Sequence, residues 1–281
     1  MNRIQAKFAE LKKRREAALI PFVTAGDPDL QTTLKILRAL EAAGADGIEL
    51  GVPFSDPTAD GPTIQRSSER ALRNELSLRR IFDVLSQFRQ KSQIPIILFG
   101  YFNPFFHYGL AKFCRDAARA GADGVLCVDL PPEESAELKR WTDAEGLDLI
   151  FLLSPTSGPE RVKLVAQKGR GFIYYVSVTG VTGARHSLDG GLRSQVSRVR
   201  SATSLPIGVG FGISTPKQAA WISEFADAAV VGSALVETIE RAKGRSGKAR
   251  AAGIFVAGLK RAIKRASKRR DRQNNLREAR G

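Results

Sequence analysis

Eight short runs of apolar and β-branched residues recur along this 281-residue chain, and stretches with helical periodicity lie between them. One such stretch, 30 to 43, carries Leu30, Leu34, Leu37 and Leu40 at helical spacing. Strands that alternate with helices imply parallel strands joined by helical crossovers. Eight such units favour a single-domain (β/α)8 barrel with an additional N-terminal helix, and a doubly wound open sheet is the alternative. The runs are LIPFVTA from 19, GIELGV from 47, PIILFGY from 95, GVLCVDL from 124, DLIFLL from 148, GFIYYVSV from 171, PIGVGF from 206 and AAVVGSAL from 228.

Nearly the same phrase leads into three of these runs. It reads AGADGIEL from 43, AGADGVLC from 120 and FADAAVVG from 225. Asp46, Asp123 and Asp227 therefore occupy equivalent places. Such self-similarity predicts a repeated βα unit of variable length.

The net charge of +15 is concentrated at the C-terminus. From Arg241 onward there are 15 Lys and Arg against Asp271 and Glu278, so 15 − 2 = +13 belongs to the last 41 residues. We expect residues 1–265 to form the barrel and residues 266–281 to form a basic tail, either disordered or a frayed helix end. Nucleic-acid binding by the tail is the less favoured interpretation.

Several classes of protein are excluded by what the sequence lacks. No apolar run approaches the roughly 18 to 20 residues that span a bilayer, and the N-terminal stretch is charged and amphipathic, without a cleavable apolar region. A cytoplasmic protein is expected. The two cysteines, Cys114 and Cys127, and the two histidines, His107 and His186, show no metal-ligand spacing. We expect neither a disulfide framework nor a metal site.

A carboxylate inside the second predicted strand indicates chemistry, because barrels place their active sites at the C-terminal ends of the strands. In GIELGV, Glu49 alternates with Ile48 and Leu50, so it points into the barrel if the two aliphatic residues face the helices. An interior ion pair is the structural alternative, but none of the eight strand runs contains Lys or Arg. Apolar surroundings favour the protonated form of Glu49, which suits proton transfer near neutral pH.

Two further carboxylates follow in the adjoining loop, PFSDPTADGP. Asp56 precedes Pro57, and a residue there commonly caps a turn, so a structural role is favoured. Asp60 comes just before Gly-Pro and a helical segment, and for it the pattern leaves helix capping and a functional role open.

Three glycine-bearing stretches follow the last three predicted strands: TGVTGAR from 179, GFGIS from 210 and GSAL from 232. In barrels, the loops after strands seven and eight and a helix N-terminus form a phosphate site from backbone N–H groups and the helix dipole. Together the three stretches predict binding of a phosphorylated substrate. A dinucleotide site is rejected, because GVGFG lacks the G-x-G-x-x-G spacing.

On these motifs the chain resembles the α subunit family of tryptophan synthase. The resemblance covers roughly residues 5 to 265, and GADGIELGVPFSDPTADGPTIQ is its most specific motif. Other matching motifs are PFVTAGDPD, PIILFGYFNP, DLPPEES, GFIYYVSVTGVTGAR, PIGVGFGIS and VVGSALV. The resemblance implies a (β/α)8 barrel that cleaves indole-3-glycerol phosphate into indole and glyceraldehyde 3-phosphate by retro-aldol chemistry.

The resemblance also implies three catalytic residues. Glu49 matches the family's general acid/base, which delivers a proton to indole C3 and handles the glycerol hydroxyl proton as the carbon–carbon bond breaks. Asp60 matches the carboxylate that binds the indole N–H and stabilises the positive indolenine tautomer. Tyr174 matches the active-site tyrosine, with aromatic filling of the barrel as its alternative, while strand alternation directs Tyr175 to the helices.

The substrate-binding residues follow from the same resemblance, and core packing is the alternative for each apolar one. They are Phe22, Phe99, Leu126 and Phe211 for the indole pocket, Thr182 for loop closure over Asp60, and Gly183, Gly212, Gly232 and Ser233 for the phosphate. Two positions depart from the family pattern. Phe99 stands where smaller aliphatic residues are common, and Val178 where Arg is frequent, which bears on pocket shape and loop closure.

The family's partner is a β subunit that condenses indole with serine on pyridoxal phosphate. The resemblance therefore implies an α2β2 tetramer and no cofactor in this chain. We expect the loop PFSDPTADGP and the adjoining YFNPFF to face the β subunit. A stand-alone lyase that releases free indole and a non-catalytic binding barrel are the competing hypotheses.

Overall fold

The structure is a computed structural model that describes residues 2–177, 188–210 and 212–278. Its strands are β1 (Ala18–Thr24), β2 (Ile48–Gly51), β3 (Ile96–Gly100), β4 (Gly124–Cys127), β5 (Asp148–Leu153), β6 (Ile173–Val176), β7 (Ile207–Gly210) and β8 (Ala228–Val231). Its helices are α1 (Arg3–Lys13), α2 (Leu30–Ala42), α3 (Pro62–Leu72), α4 (Leu78–Arg89), α5 (Phe102–Tyr108), α6 (Leu110–Ala120), α7 (Ala136–Ala144), α8 (Pro159–Lys168), α9 (Leu188–Arg200), α10 (Pro216–Ile222), α11 (Ser233–Arg241) and α12 (Arg245–Glu278).

The eight strands form one closed barrel in chain order, and every neighbouring pair is parallel. The predicted (β/α)8 fold is therefore confirmed, and the open-sheet alternative is wrong because β1 pairs with β8. All eight predicted strand runs are present. Closure places the C-terminal ends of all strands around one mouth.

Strand alternation divides the core into two layers. Residues that point outward pack against the helices, as Ile48, Leu50 and Tyr175 do. Residues that point inward fill the barrel, among them Leu126 and Tyr174. The predicted N-terminal helix, α1, closes the bottom of the barrel with three buried side chains: Ile4, Phe8 and Leu11.

The repeated aspartates have one common structural use. Each is placed just before a strand, and one of its carboxylate oxygens accepts a backbone N–H from the start of the preceding strand. The three aspartates therefore satisfy backbone N–H groups at the N-terminal end of the barrel, the end that contributes to stability rather than to the active site. The pairs, each at 2.8 Å, are Asp46 with Leu19, Asp123 with Ile96 and Asp227 with Ile207.

The last helix, α12, joins the barrel to the basic C-terminus. It buries Ala252, Val256, Leu259 and Ile263 and packs against α2, α10 and α11. The helix runs through residue 265 without interruption, so the division at 265 into barrel and basic tail stays a prediction. Among the described residues, no helix is both long enough and apolar enough to cross a membrane.

Candidate active site

Glu49 is the most deeply buried carboxyl group at the barrel mouth. It lies on β2 between Phe22 of β1 and Ile97 of β3, and its side chain is 1% exposed. Its Oε1 atom has no hydrogen-bond partner among the described residues. Burial raises the pKa of Glu49 to about 8. The side chain is therefore mostly protonated at neutral pH and is able to donate a proton into the barrel.

Tyr174 lies in the same interior, on the opposite side of the barrel. Burial and the Glu49 carboxylate both raise the pKa of its phenol well above the usual value. Its hydroxyl rests on β7, where a Cβ at Gly210 would lie 2.1 Å from the Tyr174 oxygen. Glycine at 210 therefore makes room for the tyrosine.

An apolar wall flanks Glu49. The rings of Phe22 and Phe99 meet edge to face with centroids 5.2 Å apart. Phe99 is opposite Leu126 in the pairing of β3 with β4, and Leu126 is fully buried. A Cβ at Gly51 would lie 2.4 Å from the Phe22 ring, so that glycine gives the ring its place. Three of the four predicted pocket residues therefore lie on β1, β3 and β4, the strands on either side of Glu49 and the next one along the barrel.

Asp60 lies in the loop between β2 and α3, and it is half-buried. Burial raises its pKa to about 6, against the opposing effect of a hydrogen bond from Tyr101. Helix capping, the structural alternative for Asp60, is wrong: the N-cap of α3 is Gly61, which lacks a side chain, and Pro62 begins the helix. The Asp60 carboxylate therefore does not cap α3. Asp56, in contrast, is exposed and accepts a hydrogen bond from Ser55 at 2.5 Å within the turn.

The predicted phosphate residues lie where two strands end. Gly232 is the N-cap of α11, and Ser233 begins that helix with an exposed side chain. Gly212 follows β7 with φ of 78°, a left-handed conformation that favours glycine. Thr182, Gly183 and Phe211, and also Val178, lie outside the described residues.

The comparisons with known proteins point to one family. The model of the family described as "Tryptophan synthase alpha chain" matches residues 8–264. The tryptophan synthase alpha chain of Geobacter sp. (strain M21) is 57% identical over 268 residues, which are 95% of this chain and 100% of the relative. That of Nitrosomonas europaea is 50% identical over 94% of this chain and 96% of the relative.

Solved structures agree. The crystal structure of tryptophan synthase subunit alpha from Legionella pneumophila str. Paris superposes with a TM-score of 0.88 at 40% identity, covering 94% of this chain and 99% of that one. A Pyrococcus furiosus structure, described as "Structural basis of mutual activation of the tryptophan synthase a2b2 complex", has a TM-score of 0.81 at 40% identity, covering 87% of this chain and 98% of that one.

The chain belongs to the tryptophan synthase alpha chain family. The resemblance drawn from the motifs is confirmed, and with it the predicted function, the lyase reaction of the alpha subunit.

Two features of this family member were missed by the sequence reasoning. One is Tyr101, which follows β3 and whose hydroxyl accepts the Ala59 N–H at 2.9 Å, next to Asp60. The signal in the sequence is an aromatic residue at the end of a barrel strand, in the segment YFNPFF that is expected to face the β subunit.

The second missed feature is an ion-pair network around Arg70 of α3. Arg70 donates two hydrogen bonds to Asp27, each at 2.8 Å, and one to Glu240 of α11 at 2.6 Å. The network ties α3, which follows Asp60, to α11, which begins at Ser233. No local sequence pattern indicates it, because the partners are 43 and 170 residues away.

No group of His, Cys, Asp and Glu in the described part of the chain is arranged to hold a metal ion. Cys114 and Cys127 are free thiols in the core, and burial raises the pKa of Cys114 to about 12. Neither thiol is therefore set up as a nucleophile.

Proposed function

We propose that this chain cleaves indole-3-glycerol phosphate with Glu49 as the proton-transfer group and Asp60 as the electrostatic partner. One observation carries the proposal: two carboxyl groups lie at one barrel mouth, Glu49 fully buried and Asp60 half-buried, and burial raises their pKa values to about 8 and about 6. Near pH 7 the first is mostly protonated and the second mostly ionised. Two carboxyl groups in different environments thereby take different roles.

Glu49 supplies the proton that starts the reaction. It protonates indole C3, which gives the positively charged indolenine. The bond between C3 and the glycerol side chain then breaks, its electron pair returns to the ring, and the hydroxyl proton moves to the Glu49 carboxylate. Indole and glyceraldehyde 3-phosphate result, and Glu49 is again protonated.

Asp60 stabilises the intermediate. An ionised carboxylate at the indole N–H opposes the positive charge that develops in the ring, and its position in a half-buried loop strengthens the interaction. A protonated Asp60 would lose this effect. We therefore expect kcat/KM to fall below about pH 6, as Asp60 gains a proton, and above about pH 8, as Glu49 loses one.

The other predicted residues bind and orient the substrate in this proposal. Tyr174 packs beside the reacting carbon, and the indole ring lies against Phe22, Phe99 and Leu126. The phosphate lies at Gly212 and at the start of α11, with Gly232 and Ser233, where backbone N–H groups and the helix dipole favour an anion. Thr182, Gly183 and Phe211 are assigned to loop closure, phosphate and indole by the family resemblance alone.

We further propose a β-subunit partner in an α2β2 tetramer, with pyridoxal phosphate in the partner and no cofactor in this chain. The Pyrococcus furiosus relative, described as part of an a2b2 complex, supports this. The proposed face comprises the β2–α3 loop and α5, where Phe106 is 59% exposed and stacks on Phe102. A large exposed aromatic residue is typical of an interface. The cytoplasmic location stays a prediction.

The decisive experiment measures indole release from indole-3-glycerol phosphate by the purified chain, alone and with a tryptophan synthase β subunit. We expect slow release alone and strong activation by the partner. Glu49→Gln, which keeps the side-chain shape, should reduce kcat by about a hundredfold or more. Glu160→Gln, at an exposed glutamate on α8, is the matched control and should retain full activity.

Other outcomes separate the competing hypotheses. Fast release without the partner would favour a stand-alone lyase. No release from the wild-type chain in either condition, or full activity of Glu49→Gln, would contradict the proposed mechanism.

A further inference from the structure

Tyr101 connects the loop that carries Asp60 to the barrel wall. It follows β3 directly, is 3% exposed, and lies at the N-terminus of α5. Its hydroxyl oxygen accepts the Ala59 N–H at 2.9 Å. Because a phenol oxygen that accepts one hydrogen bond keeps its own O–H free to donate, the proton can be directed to the neighbouring Asp60 carboxylate.

The Tyr101 ring and the backbone that follows it are each held by a contact with a neighbouring loop. The Phe54 ring, in the same loop as Asp60, packs on it with centroids 5.2 Å apart. Asp129, which follows β4, accepts the backbone N–H of the next residue, Phe102, at 2.7 Å and so fixes the start of α5. The loop after β2 therefore contacts Tyr101 itself, and the loop after β4 holds the residue that follows it.

The electrostatics of the cluster agree with this geometry. Burial raises the pKa of Asp60, and donation by Tyr101 acts in the opposite direction. Burial, then the Asp60 carboxylate and, to a smaller extent, the Asp129 carboxylate raise the pKa of the Tyr101 phenol. Within the described part of the chain, Tyr101 is the titratable group that acts on Asp60. The phenol is therefore protonated at neutral pH and can act as a hydrogen-bond donor there.

We propose that Tyr101 is a positioning residue of the alpha reaction. Its hydroxyl accepts a hydrogen bond from Ala59 and donates one to Asp60, which keeps the Asp60 carboxylate ionised and directed into the barrel. The inference rests on the proposed function, since it acts through Asp60. It also connects helix α5, the proposed partner-facing helix, directly to the reacting groups, because Tyr101 is the N-cap residue of that helix.

Tyr101→Phe tests the inference, because it removes the hydroxyl and keeps the ring against Phe54. We expect the pH midpoint of the Asp60 carboxyl, measured by its ¹³C chemical shift and assigned with Asp60→Asn, to rise by about one unit. The acid limb of kcat/KM should move by the same amount. At pH 6 the loss should be about fivefold and it should approach tenfold at lower pH, whereas at pH 8 kcat/KM should hardly change, because Asp60 is ionised there in both proteins.

Tyr108→Phe is the matched control. Tyr108 also donates its hydroxyl to a carboxylate, Asp116, at 2.8 Å, but this pair lies between α5 and α6. It should leave the Asp60 midpoint and the pH profile unchanged. Replacing Tyr101 with 3-fluorotyrosine keeps ring and hydroxyl while making the phenol a better donor, and it should move the Asp60 midpoint downward.

An Asp60 midpoint that stays the same in Tyr101→Phe and in the fluorinated protein would overturn the inference, as would an equal loss of kcat/KM at every pH. The carboxyl titration does not require turnover. If the wild-type chain releases no indole, the proposed function fails, while the ¹³C midpoints still decide whether Tyr101 controls Asp60.

Discussion

At the scale of single residues, two glycines in the strands leave space for aromatic side chains inside the barrel. Gly210 and Gly51 each lie against an aromatic ring, and a Cβ at either position would come within 2.1 to 2.4 Å of Tyr174 or Phe22. Such distances lie far inside van der Waals contact, so the ring or the strand would have to move. The glycines therefore determine where these two rings lie.

Gly210→Ala tests this fit. We expect the added methyl group to displace Tyr174, to lower the free energy of unfolding by about 1–3 kcal/mol, and to reduce kcat/KM. Adding Tyr174→Val to Gly210→Ala should restore part of the lost stability, because the smaller side chain leaves room for the new methyl group. Urea denaturation of the two single variants and the double variant measures this in a double-mutant cycle. Gly258→Ala is the control, since a Cβ in that helical position meets no atom within 4 Å. Unchanged stability of Gly210→Ala would contradict the argument.

At the scale of elements, the arrangement of α3 and α11 depends on a polar link rather than on hydrophobic packing alone. Asp27 is buried, and Arg70 is the side chain that neutralises it while also binding Glu240. A buried carboxylate without its cation is costly, because the charge keeps its desolvation penalty and loses its partner. Helix α3, which follows the Asp60 loop, and helix α11, which begins at Ser233, are thereby held together.

Arg70→Ala should lower the free energy of unfolding by roughly 1–3 kcal/mol and raise KM for the phosphorylated substrate, because α3 and α11 would no longer be joined through Asp27 and Glu240. Thermal unfolding and steady-state kinetics measure the two effects. Arg66→Ala serves as the comparison: Arg66 binds the same Glu240 from a half-exposed position, so less than about 1 kcal/mol is expected. Equal effects of the two substitutions would argue against a special role of Arg70.

At the scale of the whole molecule, α12 closes the ring of helices and brings a buried cation to the barrel. Lys260 is buried and forms ion pairs with Glu16 and with Asp46, one of the repeated aspartates. Further along, the Ser267 hydroxyl donates to the Arg15 carbonyl at 2.7 Å. The helix is therefore part of the folded unit at least as far as Ser267, and the role of the basic residues beyond it stays a prediction.

Truncation separates the two parts of this helix. A chain that ends after Ser267 should keep its melting temperature and its rate of indole release, because the buried contacts of α12 are retained. A chain that ends after Phe255 loses Val256, Leu259, Lys260 and Ile263 and leaves Asp46 without its cation, so it should not fold stably. If the chain that ends after Ser267 also fails to fold, the boundary of the barrel lies beyond Ser267.

Local patterns in the sequence determined the barrel, the inward direction of Glu49 and Tyr174, and the equivalence of Asp46, Asp123 and Asp227. These properties follow from the periodicities of strands and helices and from a repeated phrase, all of which are readable within a few residues. The family resemblance added the roles of the mouth residues, which no periodicity gives.

Only the tertiary structure decided which distant groups meet. The hydrogen bond from Ala59 to Tyr101 spans 42 residues, the pair of Arg70 with Glu240 spans 170, and the pair of Lys260 with Asp46 spans 214. Each depends on the tertiary fold, which brings separate βα units together at one end of the barrel or the other, and not on spacing along the chain. The same burial raises the pKa of Glu49 and of Asp60, because desolvation depends on everything that packs around a group and not on its neighbours in sequence.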